Sequence, residues 1–263
     1  MQRAEPCWGT VVSVDVRDAD HAVDERALDD VYAWFDRVDL LFSTWRDDSE
    51  IVRLGHGGLA RHDASDEVRT VLALSDRVRE ETGGAFDVRA GAHPDAPPAP
   101  GRAPLDPSGI VKGWAVQRAG ELLERAGAHD FCINAGGDVL TRRPRDEATP
   151  WRVGIQHPWE RDKVAAVVDA YDLAVATSGR YERGDHVLDP RTGHPATALA
   201  SATVVGPDLA LADAYATAVM VMGRAGLEWI ARRGGYEAMA ITNDARVLST
   251  PGFARFTTPR TAS

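Results

Sequence analysis

Fourteen consecutive residues, Leu209-Ala-Leu-Ala-Asp-Ala-Tyr-Ala-Thr-Ala-Val-Met-Val-Met222, read as a helix that is apolar nearly all round. A helix with no polar face has to be buried, so the chain must supply neighbours for it. Only Asp213 and Thr217 interrupt the apolar surface, one helical turn apart and on one face. A carboxylate in such a setting is costly unless something compensates it. The pair suits a hard cation such as Mg²⁺, completed by carbonyl and phosphate oxygens. It also suits a plain polar stripe, or a Thr217 hydroxyl bonded back to the Asp213 carbonyl.

The rest of the chain predicts strands and helices mixed without strict alternation. A strand is expected over 8–16, where Val11, Val12, Val14 and Val16 cluster. Residues 25–42 place Leu28, Val31, Tyr32, Phe35, Val38, Leu41 and Phe42 on one helical face. A second helix starts at an N-capping Ser65, carries Val68, Val71, Leu72, Leu74 and Val78, and stops near Gly83-Gly84. Residues 88–105, rich in Pro, Ala and Gly, form an irregular connection. A third helix covers 111–126 and ends at Gly127. Short strands follow at 131–134, 151–155, 164–170 and 173–176, then one at 201–205. The apolar helix 209–222, another helix at 225–233 and strands at 236–242 and 246–249 close the chain. The pattern predicts an α+β fold.

Composition removes several function classes. The 263 residues carry a formal net charge of −10, which argues against a broad nucleic-acid surface. No run approaches 18 apolar residues, so no membrane span is expected. Residues 1–8 show no apolar signal region, and a cytoplasmic location is the expectation. Cys7 and Cys132 read as two reduced thiols. The Gly-x-Gly-x-x-Gly and P-loop phosphate cradles are absent, as are His-Glu-x-x-His, paired Cys-x-x-Cys and a Gly-x-Ser-x-Gly elbow.

What remains is a set of polar clusters at element edges. Asp106-Pro-Ser-Gly109-Ile-Val-Lys112-Gly113 opens the third helix, where free N–H groups and Lys112 suit an anion. Asp106 or Ser108 equally suits a cap for that helix. Asn134-Ala-Gly-Gly137-Asp138 lies between two short strands, where paired glycines permit a tight turn or close approach to a flat ligand. His186-Val-Leu188-Asp189-Pro-Arg191-Thr192-Gly193 is turn-rich. His186 is a candidate acid or base, and Arg191 could clamp a phosphate or pair with a carboxylate.

In this order the clusters resemble the ApbE family of FAD:protein FMN transferases. The likeness takes in Trp8-Gly-Thr10, Phe42-Ser-Thr-Trp-Arg46, Asp48-Ser-Glu-Ile51, Gly83-Gly-Ala-Phe-Asp87 and Asp106–Gly113. It continues through Asn134–Asp138, Val153-Gly-Ile-Gln156, Ala174–Gly179, His186–Gly193 and Ala212–Thr217, nearly the whole chain. Each motif alone is weak; their order is specific.

The resemblance implies a two-lobed, T-fold-like α+β architecture. It has mixed or antiparallel sheets and flanking helices, in one domain over residues 1–263, with FAD in the groove. Trp8 and Trp45 would lie against the flavin nucleotide, and Ala85, Phe86 and Asp87 would line the adenine side. Asp106 and Lys112 would hold FAD directly, and the Leu188 backbone would touch it. The Gly109 carbonyl, Asp213 and Thr217 would coordinate Mg²⁺. His186 matches the family's histidine near the reacting phosphate and forms the candidate catalytic pair with Asp189; Asp189 and Thr192 would also support the site. The implied reaction moves FMN from FAD to a Thr or Ser hydroxyl of an acceptor protein and releases AMP. FAD pyrophosphatase activity and non-catalytic FAD binding are the alternatives.

Overall fold

The computed structural model of the chain describes residues 1–18, 23–90, 105–143, 149–180 and 187–257. His186 and most of the 88–105 connection therefore lie outside the described residues. Among the described residues, ten strands form two sheets. The large one has eight strands in the order β1 (Gln2–Cys7), β2 (Thr10–Val16), β3 (Phe131–Ala135), β4 (Asp138–Arg142), β7 (Leu173–Gly179), β8 (Leu199–Gly206), β9 (Glu237–Thr242), β10 (Val247–Ser249). Every neighbouring pair in it is antiparallel. The strand order follows the chain except for β5 (Trp151–Gln156) and β6 (Val164–Ala170), which leave to pair with each other.

Side-chain alternation splits the core between the two faces of the large sheet. Leu140, Ala174, Ala176, Ala202, Val204, Ala238 and Ala240 face the helices, with Val12 and Val14. Their neighbours Val139, Leu173, Val175, Val205, Met239 and Ile241 face the β5–β6 hairpin, where they meet Trp151, Val153, Ile155 and Val168. The helical layer holds α1 (Glu25–Phe42), α2 (Glu50–Gly55), α3 (Asp66–Glu81), α4 (Ser108–Arg125), α5 (Leu209–Met222) and α6 (Arg224–Ile230).

Helix α1 has the expected bounds and buries the seven residues expected of it, capped by the Asp24 carboxylate on Ala27 N. In α3 the Ser65 cap accepts from Val68 N as expected, but the buried face takes Ser75 while Leu74 is half-buried. Burial of Ser75 is tolerated because its hydroxyl donates to Val71 O at 2.7 Å. Helix α4 starts three residues before the expected 111, because the Pro107 carbonyl already accepts from Ile110 N and Val111 N. Among the described residues, two strands and one α-helix were not expected: β1, β4 and the six-residue α2.

The observed α5 spans the expected 209–222, with all but Leu211, Thr217 and Met222 buried. It packs against α4, β7 and β8. A Cβ on Gly113 would sit 2.4 Å from the Leu209 carbonyl oxygen and 2.9 Å from Asp213 Cβ, so the two helices touch backbone to backbone there. Gly113→Ala should therefore destabilise the protein by about 1–3 kcal/mol or more, read as a lower denaturant midpoint. Unchanged stability would mean that α4 and α5 are not in contact at this point.

Candidate functional site

One large cleft, of about 1390 Å³, opens along the edge of the helical layer. Its walls come from the β1–β2 turn, the end of α1, residues 85–90, the start of α4, the ends of β5 and β7, residues 187–190 and α5.

The β1–β2 turn is closed by the Cys7↔Thr10 pair, leaving Trp8 and Gly9 as its two central residues. Both have positive φ, 53° and 74°, as a type I′ hairpin requires. Gly takes this conformation freely, whereas a bulky Trp does not. The Trp8 indole is held by a hydrogen bond from Nε1 to Phe35 O at 3.3 Å and an edge-to-face contact with the Phe35 ring at 5.1 Å. Trp45, just past α1, lines the cleft with 87% of its surface exposed.

Gly83 and Gly84, with φ of 59° and 82°, end α3 and turn the chain toward the cleft. There Ala85 and Phe86 are buried, and Phe86 N donates to Thr82 Oγ1 at 3.2 Å. Asp87 accepts from Arg79 Nε at 2.7 Å and from Arg89 N at 2.9 Å. Asp106 Oδ1 accepts from Ser108 N at 3.1 Å, so Asp106 does bond the first turn of α4. At the fifth residue of α4, Lys112 Nζ lies 2.9 Å from Asp138 Oδ2.

Asp213 is 6% exposed, and its Oδ2 accepts from Gly113 N at 3.0 Å. In a regular helix that amide points at the Gly109 carbonyl, so the bond to Asp213 competes for the donor Gly109 would otherwise have. Gly109 is also close to Thr217: a Cβ on it would meet Thr217 Oγ1 at 3.2 Å. Thr217 Oγ1 and Ser178 Oγ are 3.2 Å apart. Gly109, Asp213 and Thr217 thus converge from two helices on one wall of the cleft. A carboxylate, a hydroxyl and a carbonyl are hard oxygen donors of the kind Mg²⁺ takes, together with water and phosphate oxygens. Among the described residues no group of three or more His, Cys, Asp or Glu is arranged to hold a metal.

The 187–195 segment folds as expected of a turn. Leu188 bridges to Pro195 and lines the cleft with Val187 and Pro190. The resemblance grouped Asp189 with His186 as catalytic, yet Asp189 is not on the cleft lining. Its carboxylate is engaged by Arg191, with Nε at 2.9 Å and a terminal nitrogen at 2.8 Å. That guanidinium holds the Asp189 carboxyl below the usual carboxylate range. Asp189 also orders the turn: its carbonyl accepts from Thr192 N at 3.1 Å and Gly193 N at 2.8 Å. Thr192 Oγ1 accepts from His194 N at 3.3 Å, again away from the lining. Arg191 is the partner of a carboxylate here, one of its two expected roles.

Apart from Asp189, Thr192 and the undescribed His186, all eleven candidate site residues, Trp45 included, line this single cleft. Residues with no assigned role also line it, notably Gln156, Arg161, Thr177 and Ser178. Asp138, whose carboxylate meets Lys112, was left without a role as well. The motifs containing Gln156, Asp138, Thr177 and Ser178 are visible in the sequence, but their convergence depends on non-local packing.

The ApbE family model matches residues 8–96 and 98–240. This chain belongs to the ApbE family. It is 29% identical over 303 aligned residues to the FAD:protein FMN transferase of Klebsiella pneumoniae, covering 94% of this chain and 87% of that protein. The FAD:protein FMN transferase of Escherichia coli K12 is 28% identical, over 84% of this chain and 79% of its own length. The solved flavin transferase ApbE of Vibrio cholerae has the same fold, with a TM-score of 0.83 at 24% identity over 97% of this chain and 98% of that one. An ApbE protein from Thermotoga maritima superposes with a TM-score of 0.84 at 23% identity, over 98% and 99% of the two chains.

The thiols carry a prediction of their own. Burial, then Asp36, Glu5 and Asp39, push the Cys7 thiol up to about 11; burial, then Asp15, pushes Cys132 up to about 12. A raised thiol pKa means less thiolate at a given pH. Both should therefore react slowly with iodoacetamide at pH 8, with Cys7 the faster. Rapid loss of Cys132, followed by mass spectrometry, would contradict this burial.

Proposed function

We propose that this chain is an FAD:protein FMN transferase that moves FMN from FAD to a Thr or Ser hydroxyl of an acceptor protein and releases AMP. We also propose that it needs Mg²⁺, held by the Gly109 carbonyl, Asp213 and Thr217. The observation that carries the reading is the meeting of these three donors with Lys112 in the same cleft. FAD would lie with its adenine side against Ala85, Phe86 and Asp87 and its flavin side near Trp8 and Trp45. Asp106, Lys112 and the Leu188 backbone would hold it between.

The cleft's charges favour a cation-dependent chemistry. Asp36, Asp39, Asp87, Asp106 and Asp213 line it against Arg46, Lys112 and Arg161, five acidic groups to three basic ones. A pyrophosphate entering such a cleft needs positive charge placed locally. When bound, Mg²⁺ supplies Lewis-acid polarisation of the phosphate oxygens and offsets the charge of the departing AMP. The chain's own contribution is preorganised: the positive end of the α4 dipole and the Lys112 ammonium would face the position the phosphates take. Asp106 fixes that first turn through Ser108 N. The acceptor hydroxyl attacks the phosphorus on the riboflavin side, the bond to the AMP phosphate breaks, and the hydroxyl proton leaves to a base. We assign that base to His186, because the carboxylates of Asp87, Asp106, Asp189 and Asp213 are already hydrogen-bonded within the protein. Asp189 and Thr192 support the turn that carries Leu188.

Incubation with FAD, Mg²⁺ and an acceptor protein should give the FMN mass increment on the acceptor and free AMP. Free FMN in place of modified acceptor would make water the nucleophile and the protein a pyrophosphatase. Asp213→Asn keeps an acceptor for Gly113 N but removes the charge, and should slow transfer more than about 100-fold. Undiminished Mg²⁺-dependent transfer by this variant would defeat the metal assignment. His186→Ala should lower the transfer rate while leaving FAD binding intact, checked by flavin fluorescence.

A further inference from the structure

None of the roles above uses Asp138, the first residue of β4, which is 1% exposed. Its two oxygens face different elements. Oδ2 meets the Lys112 ammonium at 2.9 Å and has no other partner among the described residues. Oδ1 accepts from Thr177 N on β7 at 3.1 Å. The β4–β7 ladder ends at the Val139↔Val175 pair, so the carboxylate takes the Thr177 amide where backbone pairing has stopped. Beyond that bond, the Thr177 hydroxyl lies 2.9 Å from that of Thr203, and Ser178 Oγ lies 3.2 Å from Thr217 Oγ1. One buried carboxylate therefore ties Lys112 on α4 to the strand end that touches Thr217 on α5.

We propose that Asp138 is a positioning residue for FMN transfer: its charge fixes the Lys112 ammonium toward the phosphate side of the cleft while its other oxygen holds Thr177–Ser178 against Thr217. The word transfer here rests on the function proposed above; the pairing itself does not. A neutral amide at this position would satisfy Thr177 N as well as a carboxylate does. What the negative charge adds is the hold on Lys112. A Lys side chain is a point charge on a flexible stem with three donors. Anchoring the ammonium to Asp138 sets its place in the cleft and removes the need to order the stem when the ligand binds. The charge is also a buried one, so each member of the pair depends on the other.

The test is a double-mutant cycle on D138N, K112M and K112M/D138N, read as FAD affinity by flavin fluorescence, as FMN transfer to an acceptor protein, and as melting temperature. D138N should bind FAD about 10–100-fold more weakly and slow transfer. Because Asp138 acts through Lys112, the double variant should bind FAD no more weakly than K112M. K112M strands a buried carboxylate and should have a lower melting temperature than the wild type, and D138N in that background should recover most of the loss. The proposal falls if D138N binds FAD within about twofold of the wild type, or if its loss adds in full to that of K112M. Should D138N not fold alone, K112M against K112M/D138N still decides: a melting temperature in the double variant no higher than in K112M overturns the pairing. If the wild-type protein binds FAD but modifies no acceptor, the transferase reading fails while the affinity and stability cycles remain valid tests of the pair.

Discussion

The contact between α4 and α5 at Gly113 is the constraint on which the rest of the structure turns. An all-apolar helix is stable only when covered, and α5 is covered by α4 on one side and the sheet on the other. Gly113 lets the two backbones meet, and its amide is then positioned to donate to the Asp213 carboxylate. A charge that would be prohibitive in this helix is thereby made tolerable by a backbone donor from a neighbouring helix. The same approach sets Gly109, one turn earlier in α4, beside Thr217, one turn later in α5. The three candidate cation donors are close together because the helices are close together, with no dedicated loop required.

The sheet makes this approach possible through side-chain size. The positions of β7, β8 and β9 that face the helices are largely Ala, while their neighbours on the opposite face are Val, Leu, Met and Ile packed under the β5–β6 hairpin. Small residues on one face allow α5 to lie near the strands, and the second core on the other face supplies the burial that those alanines do not. Strand β7 then runs past the end of β4, and its last residues, Thr177 to Gly179, pair only with β8. The site sits at that point of departure, where a strand end has amide and hydroxyl groups not taken up by a second neighbour.

Much of the fold was legible from local pattern. Helix α1 announces itself by seven apolar residues at helical spacing, and α5 by an uninterrupted apolar run. Helix α3 is marked by Ser65 and by the two glycines that need positive φ. The misses have physical causes. Gln2–Cys7 carries alternating polar residues because β1 is an edge strand with half-exposed positions, so no apolar period shows. Strand β4 opens on Asp138 and carries Thr141 near its end, polar residues whose burial is explained only by partners far along the chain. Of the site, the residues placed by the family resemblance mostly share one cleft, whereas Asp189 and Thr192 serve the turn beside it. Asp138 could be noticed as part of a Gly-Gly-Asp segment, but nothing local links it to Lys112.

On bulk electrostatics alone, a net charge of −10 and an acidic cleft disfavour a polyanion. The resolution is that charge at short range outweighs the summed field, because the local dielectric is low and the sources are fixed. On the function proposed above, the start of helix α4, one anchored ammonium and one cation seat would hold phosphates while the surrounding carboxylates repel anions lacking a matching arrangement of donors. Such a cleft would discriminate: a ligand would gain entry by engaging all three positive sources together, whereas a simple anion that meets one of them would still face the five described carboxylates. On that reading the acidic lining would contribute specificity at the same site where the helix contact between Gly113 and Asp213 would contribute affinity.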